Sequence, residues 1–539
     1  MPLQQEFLDY LAEHPEALQS EEALEPVVEQ CLPDAFNHCA DRVSRRRFLQ
    51  SLMASLALGG LAACTRQPDE AIVPYIDEPE NLVPGKSEFF ASASLRNGIA
   101  RGTLVRSFMG RPIKIEGNPR HPESLGATDV YMQASALSLY DQSRIKSVTT
   151  SGQLTSLATF ERWLTGEMEK YRTNGGKGLH ILTGATSSST FQYQMSKLKA
   201  QFPEMKWHIY EPVNGNGARQ AAMRIWGRDL QPVYQLKNAD VIFSLDCHLF
   251  NDEPGSLRYA REFIDGRRIR KNNLRMNRFY AVETMPTFTG AMADHLWTCN
   301  PQDIQDIAVH LTQALNVPGM PSLPFHKSRG TYPWLAAVAD DLRAHGTRSL
   351  IVAGDHLSPA VHALACAMNQ SLGSIGTTCT LIDPVVAGPA DSLSDLIALS
   401  EAMKKGSVSL LVMIGVNPVY NAPADLNFGS LLARVQQTIC LDLYANETAL
   451  LCNWVLPMSH ELEAWSDARA FNGTITIMQP LIAPLHNFVS SHELIDQISG
   501  KVGRSNYEIV REYWEGLQGS GTMEAFWRQV LQDGILQDS

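Results

Sequence analysis

The side chains best suited to redox or metal chemistry in this 539-residue chain are its nine cysteines and fifteen histidines. Cys31, Cys39, Cys64, Cys247, Cys299, Cys366, Cys379, Cys440 and Cys452 nowhere fall at C-x-x-C spacing, and no four share a short window. The ligand pattern of an iron–sulfur cluster or structural zinc is therefore missing. Disulfides stay open in an exported chain, but spacing does not choose the partners. Cys366 and Cys440 lie in helix-like and strand-like runs that favour buried free thiols. His248, His295, His356 and His460 are scattered singly, which suits satisfied structural groups better than metal ligands. Glu461 and Glu463 need not face one site, and no nucleophile–base pair has persuasive spacing.

A different chemistry is written near the N-terminus, in SRRRFLQSLMASLALGGLAAC from Ser44 to Cys64. The apolar run from Ser51 to Ala63 is 13 residues long. A hydrocarbon core needs about 20. Charge, a short apolar stretch and small residues before a boundary form the layout of an export signal. Ser44, Arg45, Arg46, Phe48 and Leu49 point to the twin-arginine route. The run ends Leu61-Ala62-Ala63-Cys64, similar to a bacterial lipobox, so Cys64 is a candidate for lipidation and anchorage at the membrane surface. The plainer alternatives are an ordinary cleavage site or an uncut anchor.

Composition bounds the rest. Residues 1–63 carry ten acidic side chains against four arginines, half of the net charge of -12. The remainder is mildly acidic, which argues against nucleic-acid binding. Residues 1–43 repeat apolar positions at helical spacing (Phe7, Leu8, Leu11; Leu24, Val27, Val28, Cys31). They read either as a helical docking element or as a solvated leader. Residues 65–90 are rich in Pro and acid, an extended tether.

The elements that must position any site follow. Gly102 to Phe108 and Ile113 to Glu116 read as a β-hairpin around Met109–Pro112, closed by the rigid turn GNPRHP. Gly178–Gly184, Asp240–Asp246, Ser349–Gly354 and Leu410–Gly415 are apolar strands stopping at turns. Helical patterns follow at Phe191–Phe202 and Pro359–Leu372. The Ser/Thr run after Gly184 either seats a phosphate on a helix N-terminus or is a plain strand–turn–helix junction. Alternating strands and helices favour parallel sheets with ligands at their carboxyl edges. The basic loop of Arg267, Arg268, Arg270, Lys271, Arg275 and Arg278 reads as a solvated face, with an anion contact as the alternative.

GRPIKIEGNPRHPESLGATD resembles the start of the molybdopterin oxidoreductase family, and the resemblance runs through nearly the whole mature chain. It implies an α/β fold of doubly wound, mainly parallel sheets with a small N-terminal β region; a helical N-terminal extension precedes it. NET, NWVLP, HELEAWSDA, FNGT and QPLIAPL, spread over Asn446 to Leu485, are similar to one branch, the molybdopterin-like subunit of alternative complex III, a quinol-oxidising membrane assembly. In its split form that branch lacks the iron–sulfur half. Patterning along the chain divides it into an acidic helical extension at 1–43, a signal segment at 44–63, a tether and small β region at 64–150, α/β units at 151–345 and 346–500, and a helical tail at 501–539.

The family's usual redox ligands are not matched. Residues 65–120 hold no Cys, and Gly126–Asp129 stands where a late cluster Cys is placed. Tyr210–Gly217, the place of the metal ligand, offers Glu211, Asn214 and Asn216 but no Cys. A DPR-like dinucleotide loop is replaced by Phe279–Thr289 and Ala293-Asp294-His295. The resemblance thus implies a non-catalytic scaffold with no cofactor of its own, on the periplasmic side of the inner membrane. Its implied partners are a ferredoxin-like iron–sulfur subunit, a multihaem c-type cytochrome and a quinol-binding membrane subunit. The alternatives are an active molybdenum bis-pterin oxidoreductase of polysulfide or thiosulfate type, or a lipoprotein that binds a pterin or a partner. Replacing Arg45 and Arg46 with Lys is expected to stop export. Cell fractionation checks this, and continued periplasmic delivery overturns the twin-arginine assignment.

Overall fold

The computed structural model describes residues 83, 85–213, 216–251, 253–269, 275–319, 332–486, 488–518 and 523–536. The extension 1–43, the signal segment 44–63 with Ser44, Arg45, Arg46, Phe48 and Leu49, and Cys64 lie outside them. The first strands, β1 (Glu88–Arg96), β2 (Ile99–Phe108) and β3 (Arg111–Gly117), form an antiparallel sheet. Its first turn is Asn97-Gly98, with φ of 49° and 72°, the left-handed pair that a two-residue hairpin requires. The turn GNPRHP serves anchorage. Asn118 Nδ2 donates to the Asp533 carbonyl at 2.8 Å, and His121 Nε2 sits 3.2 Å from Thr476 Oγ1.

Next come β4 (Thr149–Thr150), β5 (Gln153–Leu154), β6 (Leu179–Thr183), β7 (Lys206–Ile209), β8 (Gln231–Tyr234), β9 (Val241–Leu245), β10 (Arg278–Glu283) and β11 (His295–Thr298). After them run β12 (Ser349–Ala353), β13 (Cys379–Ile382), β14 (Leu410–Ile414), β15 (Gln437–Asp442), β16 (Trp454–Pro457), β17 (Ser466–Arg469) and β18 (Ile475–Met478). One sheet has the order β5-β4-β16-β15-β14-β6-β7, parallel from β16 to β7, and a second, all parallel, runs β11-β10-β9-β12.

Helices cover both faces of the central strands, so β6, β9, β12 and β14 are buried at every position rather than alternating. Leu410, Val412 and Ile414 pack on one side with Ile181 and Ile439. Leu411, Met413 and Cys440 pack on the other with Leu396, Leu399 and Leu431. β9 divides likewise, with Val241, Phe243 and Leu245 on one face and Ile242 on the other. The anticipated strands and the helix Pro359–Leu372 are present, and the other helix runs Ser189–Gln201. The boundary expected at 345/346 does not divide the sheets. β12 pairs with β9, and β14 pairs with β6, because each sheet is completed by strands from distant sequence. The C-terminal helices Asn506–Gln518 and Met523–Asp533 press Trp514 and Trp527 onto Ile475 and Ile477 of β18.

One buried carboxylate joins three of these regions. Asp467 of β17 accepts from Thr190 N (3.1 Å), Thr190 Oγ1 (2.8 Å), Trp514 Nε1 (3.1 Å) and the Ser188 hydroxyl. Ser188 and Thr190 begin the helix Ser189–Gln201 after β6, so Asp467 sits on that helix's positive end. A second internal pair, Arg144 with Glu463 at 2.6 Å, is almost fully shielded from solvent. Asp467→Ala leaves four buried donors without their acceptor. It is expected to lower stability by about 2–4 kcal/mol, read as a fall in the urea unfolding midpoint.

Candidate functional site

Chain reversals after β7, β9 and β12 bring their carboxyl ends to one cavity of about 740 Å³. The hairpin residues Arg96, Asn97, Ile99 and Arg101 form one wall. Glu211 and Asn216 follow β7, His248 and Glu253 follow β9, and Asp355 and His356 follow β12. This is the carboxyl-edge position at which ligands bind in open α/β sheets. Arg96 and Arg101 also line a second cavity of about 540 Å³, with His460, Glu461 and His492. The hairpin is held by close backbone approach. Gly98 O accepts from Ser187 N at 3.1 Å, and a Cβ on Gly98 would stand 2.1 Å from the Ala185 carbonyl oxygen. Glu461 caps the same hairpin, accepting from Ser94 Oγ at 3.0 Å and Leu95 N at 2.9 Å.

The first cavity is acidic in composition, and burial raises its carboxyls. Burial pushes Glu123 up to about 7 and raises Glu211. Glu253 is raised well above the usual carboxylate range, by burial and then by the charge of Asp355, which burial raises too. Neighbouring carboxyls taken out of water cannot both ionise, so this pair holds a proton. Cys247 Sγ lies 3.5 Å from Glu253 Oε1. Burial and that acid push the thiol up, the opposite of the thiolate a metal needs. Asp246 differs: burial raises it, but hydrogen bonds from His356 (3.1 Å) and Thr284 (2.8 and 2.9 Å) outweigh that and hold it low. The same contact raises His356.

The residues singled out from sequence scatter over several roles. Glu211, Asn216, His248 and His356 do meet in the first cavity, whereas Asn214 lies outside the described residues. Glu211 accepts from Ala185 N at 2.7 Å. His460 and Glu461 line the second cavity, where His460 Nε2 is 2.9 Å from Ser138 Oγ. Glu463 turns away to Arg144. His295 lies on the edge strand β11, stacked on Tyr280 at 5.0 Å. In the basic loop Arg267 pairs with Asp294, Arg268 with Asp265 and Arg278 with Asp341, so these three are structural charges. Cys440 is buried as expected and Cys366 is only partly so; both are free thiols. Glu123, Glu253, Asp355 and Arg219 were not singled out, because only the fold brings such widely spaced residues together.

A pterin dinucleotide would need cationic groups for its phosphates. Arg101 is committed to Asp129, and Arg219 is clamped by Asp229 at 2.6 and 2.9 Å. The helix N-terminus offered by the Ser/Thr run is filled by the Asp467 carboxylate. Among the described residues no group of three His, Cys, Asp or Glu could hold a metal ion. Of the three arginines lining the first cavity, Arg101 and Arg219 are engaged by acids, and Arg96 lies over the Tyr131 ring at 4.0 Å. No helix among them is long and apolar enough to cross a membrane.

The protonated carboxyls set a pH dependence. Glu123 keeps a proton in the native state that the unfolded chain has released, so its contribution is lost as pH rises from its ordinary 4.5 to about 7. Burial holds His121, His180, His362, His460 and His492 down at about 4. Unfolding lets these rings take protons, so stability also falls as pH drops from 6.5 towards 4. Glu123→Gln is expected to gain about 2 kcal/mol relative to the wild type between roughly pH 5 and 8. Urea unfolding at the two pH values measures it.

No family model matches the sequence. The menaquinone reductase, molybdopterin-binding-like subunit, of Nitratidesulfovibrio vulgaris is 22% identical over 471 residues, covering 79% of this chain and 66% of that protein, just under two thirds of its length. Acetylene hydratase from Pelobacter acetylenicus superposes with a TM-score of 0.52 at 12% identity, over 76% of this chain and 69% of that one. Doubly wound sheets that superpose in this way give the chain a molybdopterin-oxidoreductase-like fold.

Proposed function

We propose that the chain is a non-catalytic, molybdopterin-oxidoreductase-like subunit of a quinol-oxidising electron-transfer complex of the alternative complex III type. It scaffolds a separate ferredoxin-like iron–sulfur subunit beside a multihaem c-type cytochrome and a quinol-binding membrane subunit. The chain reaches the periplasmic side of the membrane by the twin-arginine route and is held there through Cys64. The observation that carries the reading is the Asp467 carboxylate on the helix N-terminus, where the sequence offered a phosphate seat. With that helix N-terminus occupied from within, one seat for a diphosphate is lost. The Nitratidesulfovibrio relative, a menaquinone reductase subunit by name, supports the quinone-linked setting.

In this reading the cleft is a retained shape whose buried carboxyls and hairpin stiffen the body, and electrons pass through cofactors of the partner chains. Purification of the chain from detergent-solubilised membranes is the test. Comigration with iron–sulfur and haem-bearing subunits, with molybdenum far below one atom per chain, is the expected result. One molybdenum–pterin group per chain, turning over substrate, overturns the proposal.

A further inference from the structure

The hairpin of β2 and β3 ends in a tip where apolar side chains and cations stand side by side in water. Phe89, Ile113 and Leu137 are 54%, 50% and 74% exposed, and Phe108 is exposed with them. Leu137 belongs to the helix Val130–Leu139, which lies along β3 with its last turn at the tip. Gln133 Nε2 donates to the Ile115 carbonyl at 2.6 Å, and the Tyr140 hydroxyl donates to the Pro112 carbonyl at 2.8 Å. Directly opposed residues of an antiparallel pair share a face. The register sets Phe89 against Arg106, Arg106 against Lys114 and Phe108 against Arg111. Every exposed ring of that face thus has a cation as its cross-strand neighbour. Lys86, just before β1, adds a fourth exposed cation, and only Glu88 and Glu116, both half-buried, stand against them within residues 86–117. Glu116 pairs with Lys114 at the surface, where such pairs contribute little. This positive tip belongs to a chain whose net charge is -12.

We propose that this tip, with Leu137 beside it, is a contact for a membrane surface of anionic phospholipids. Phe89, Phe108, Ile113 and Leu137 enter the boundary between headgroups and acyl chains. Lys86, Arg106, Arg111 and Lys114 meet the lipid phosphates. The mixture of side chains decides between a bilayer and a protein partner. The centre of a protein interface is depleted of charge, and seating Phe89 and Phe108 against a protein would take Arg106, Arg111 and Lys114 out of water with them. At a bilayer the same face divides by depth, because long basic side chains lay their stems along apolar surface and keep their charged ends at the phosphates. The contact rests on the proposed function only in placing the chain at a membrane. Cys64, the anchor of that reading, precedes Glu88 at the start of β1 by 24 positions. Of the described sheets and helices, this sheet therefore stands nearest to the anchor along the sequence. A lipid on one cysteine holds the chain at the surface, and the tip sets which face turns to it.

Photocrosslinking of the full chain to vesicles is the test. A benzophenone side chain is placed by Phe108→p-benzoylphenylalanine in one preparation. In the other it is placed by Tyr420→p-benzoylphenylalanine, at an exposed ring outside the N-terminal sheet. Each is irradiated with vesicles of phosphatidylglycerol and phosphatidylethanolamine, and the peptides are read by mass spectrometry. A phospholipid adduct at position 108 and none at position 420 is the expected result. Arg106→Glu combined with Lys114→Glu is expected to cut the yield at position 108 about tenfold, with the urea unfolding midpoint unchanged. No adduct at position 108, equal adducts at both positions, or a yield untouched by the two charge reversals overturns the proposal. So do crosslinks from position 108 to protein in place of lipid in native membranes. Comigration with iron–sulfur and haem-bearing subunits is read separately, so the membrane contact and the proposed complex can each fail alone.

Discussion

Asp467 is the constraint on which much of the arrangement depends. A buried carboxylate is costly unless donors surround it. Here the helix after β6, the C-terminal helix through Trp514 and the strand β17 all converge on it. Burial raises this carboxyl while the hydroxyl, amide and indole donors lower it, so its charge state depends on three segments folding together. The same carboxylate ends the anion-binding potential of that helix, since the partial positive charge of its first turn is already answered.

The cleft beside it follows a related logic. Burial disfavours the charged form of the carboxyls in its wall. Glu253 beside Asp355 keeps a proton, and Glu123 is pushed up to about 7. Their arginine neighbours are turned to acids outside the cavity, Arg101 to Asp129 and Arg219 to Asp229. With Arg101 and Arg219 paired to acids, the wall is cohesive and little of their positive charge is left free.

Local sequence made a good part of the fold legible. Runs such as Leu410–Ile414 are apolar at every position because both faces of the sheet are covered, and each strand ends at a Gly or polar turn. Helix Pro359–Leu372 carries its start in Pro359 and its stop in Gly373, which takes the left-handed conformation at φ 72°. The EGNPRHP turn was legible as rigid, but its purpose was not. Asn118 and His121 act on Asp533 and Thr476, more than 350 positions away.

What the sequence alone determined was the element order, the strand–turn–helix junctions, the apolar faces and the want of clustered metal ligands, all properties of neighbouring residues. Tertiary structure decided how the strands interleave, with β12 beside β9 and β14 beside β6. It also decided that Glu211, His248 and His356 share a cavity while Glu461 and Glu463 part company, and that Asp467 takes the helix N-terminus. Those outcomes depend on which distant surfaces bury one another, and burial decides both who meets and which groups keep their charge.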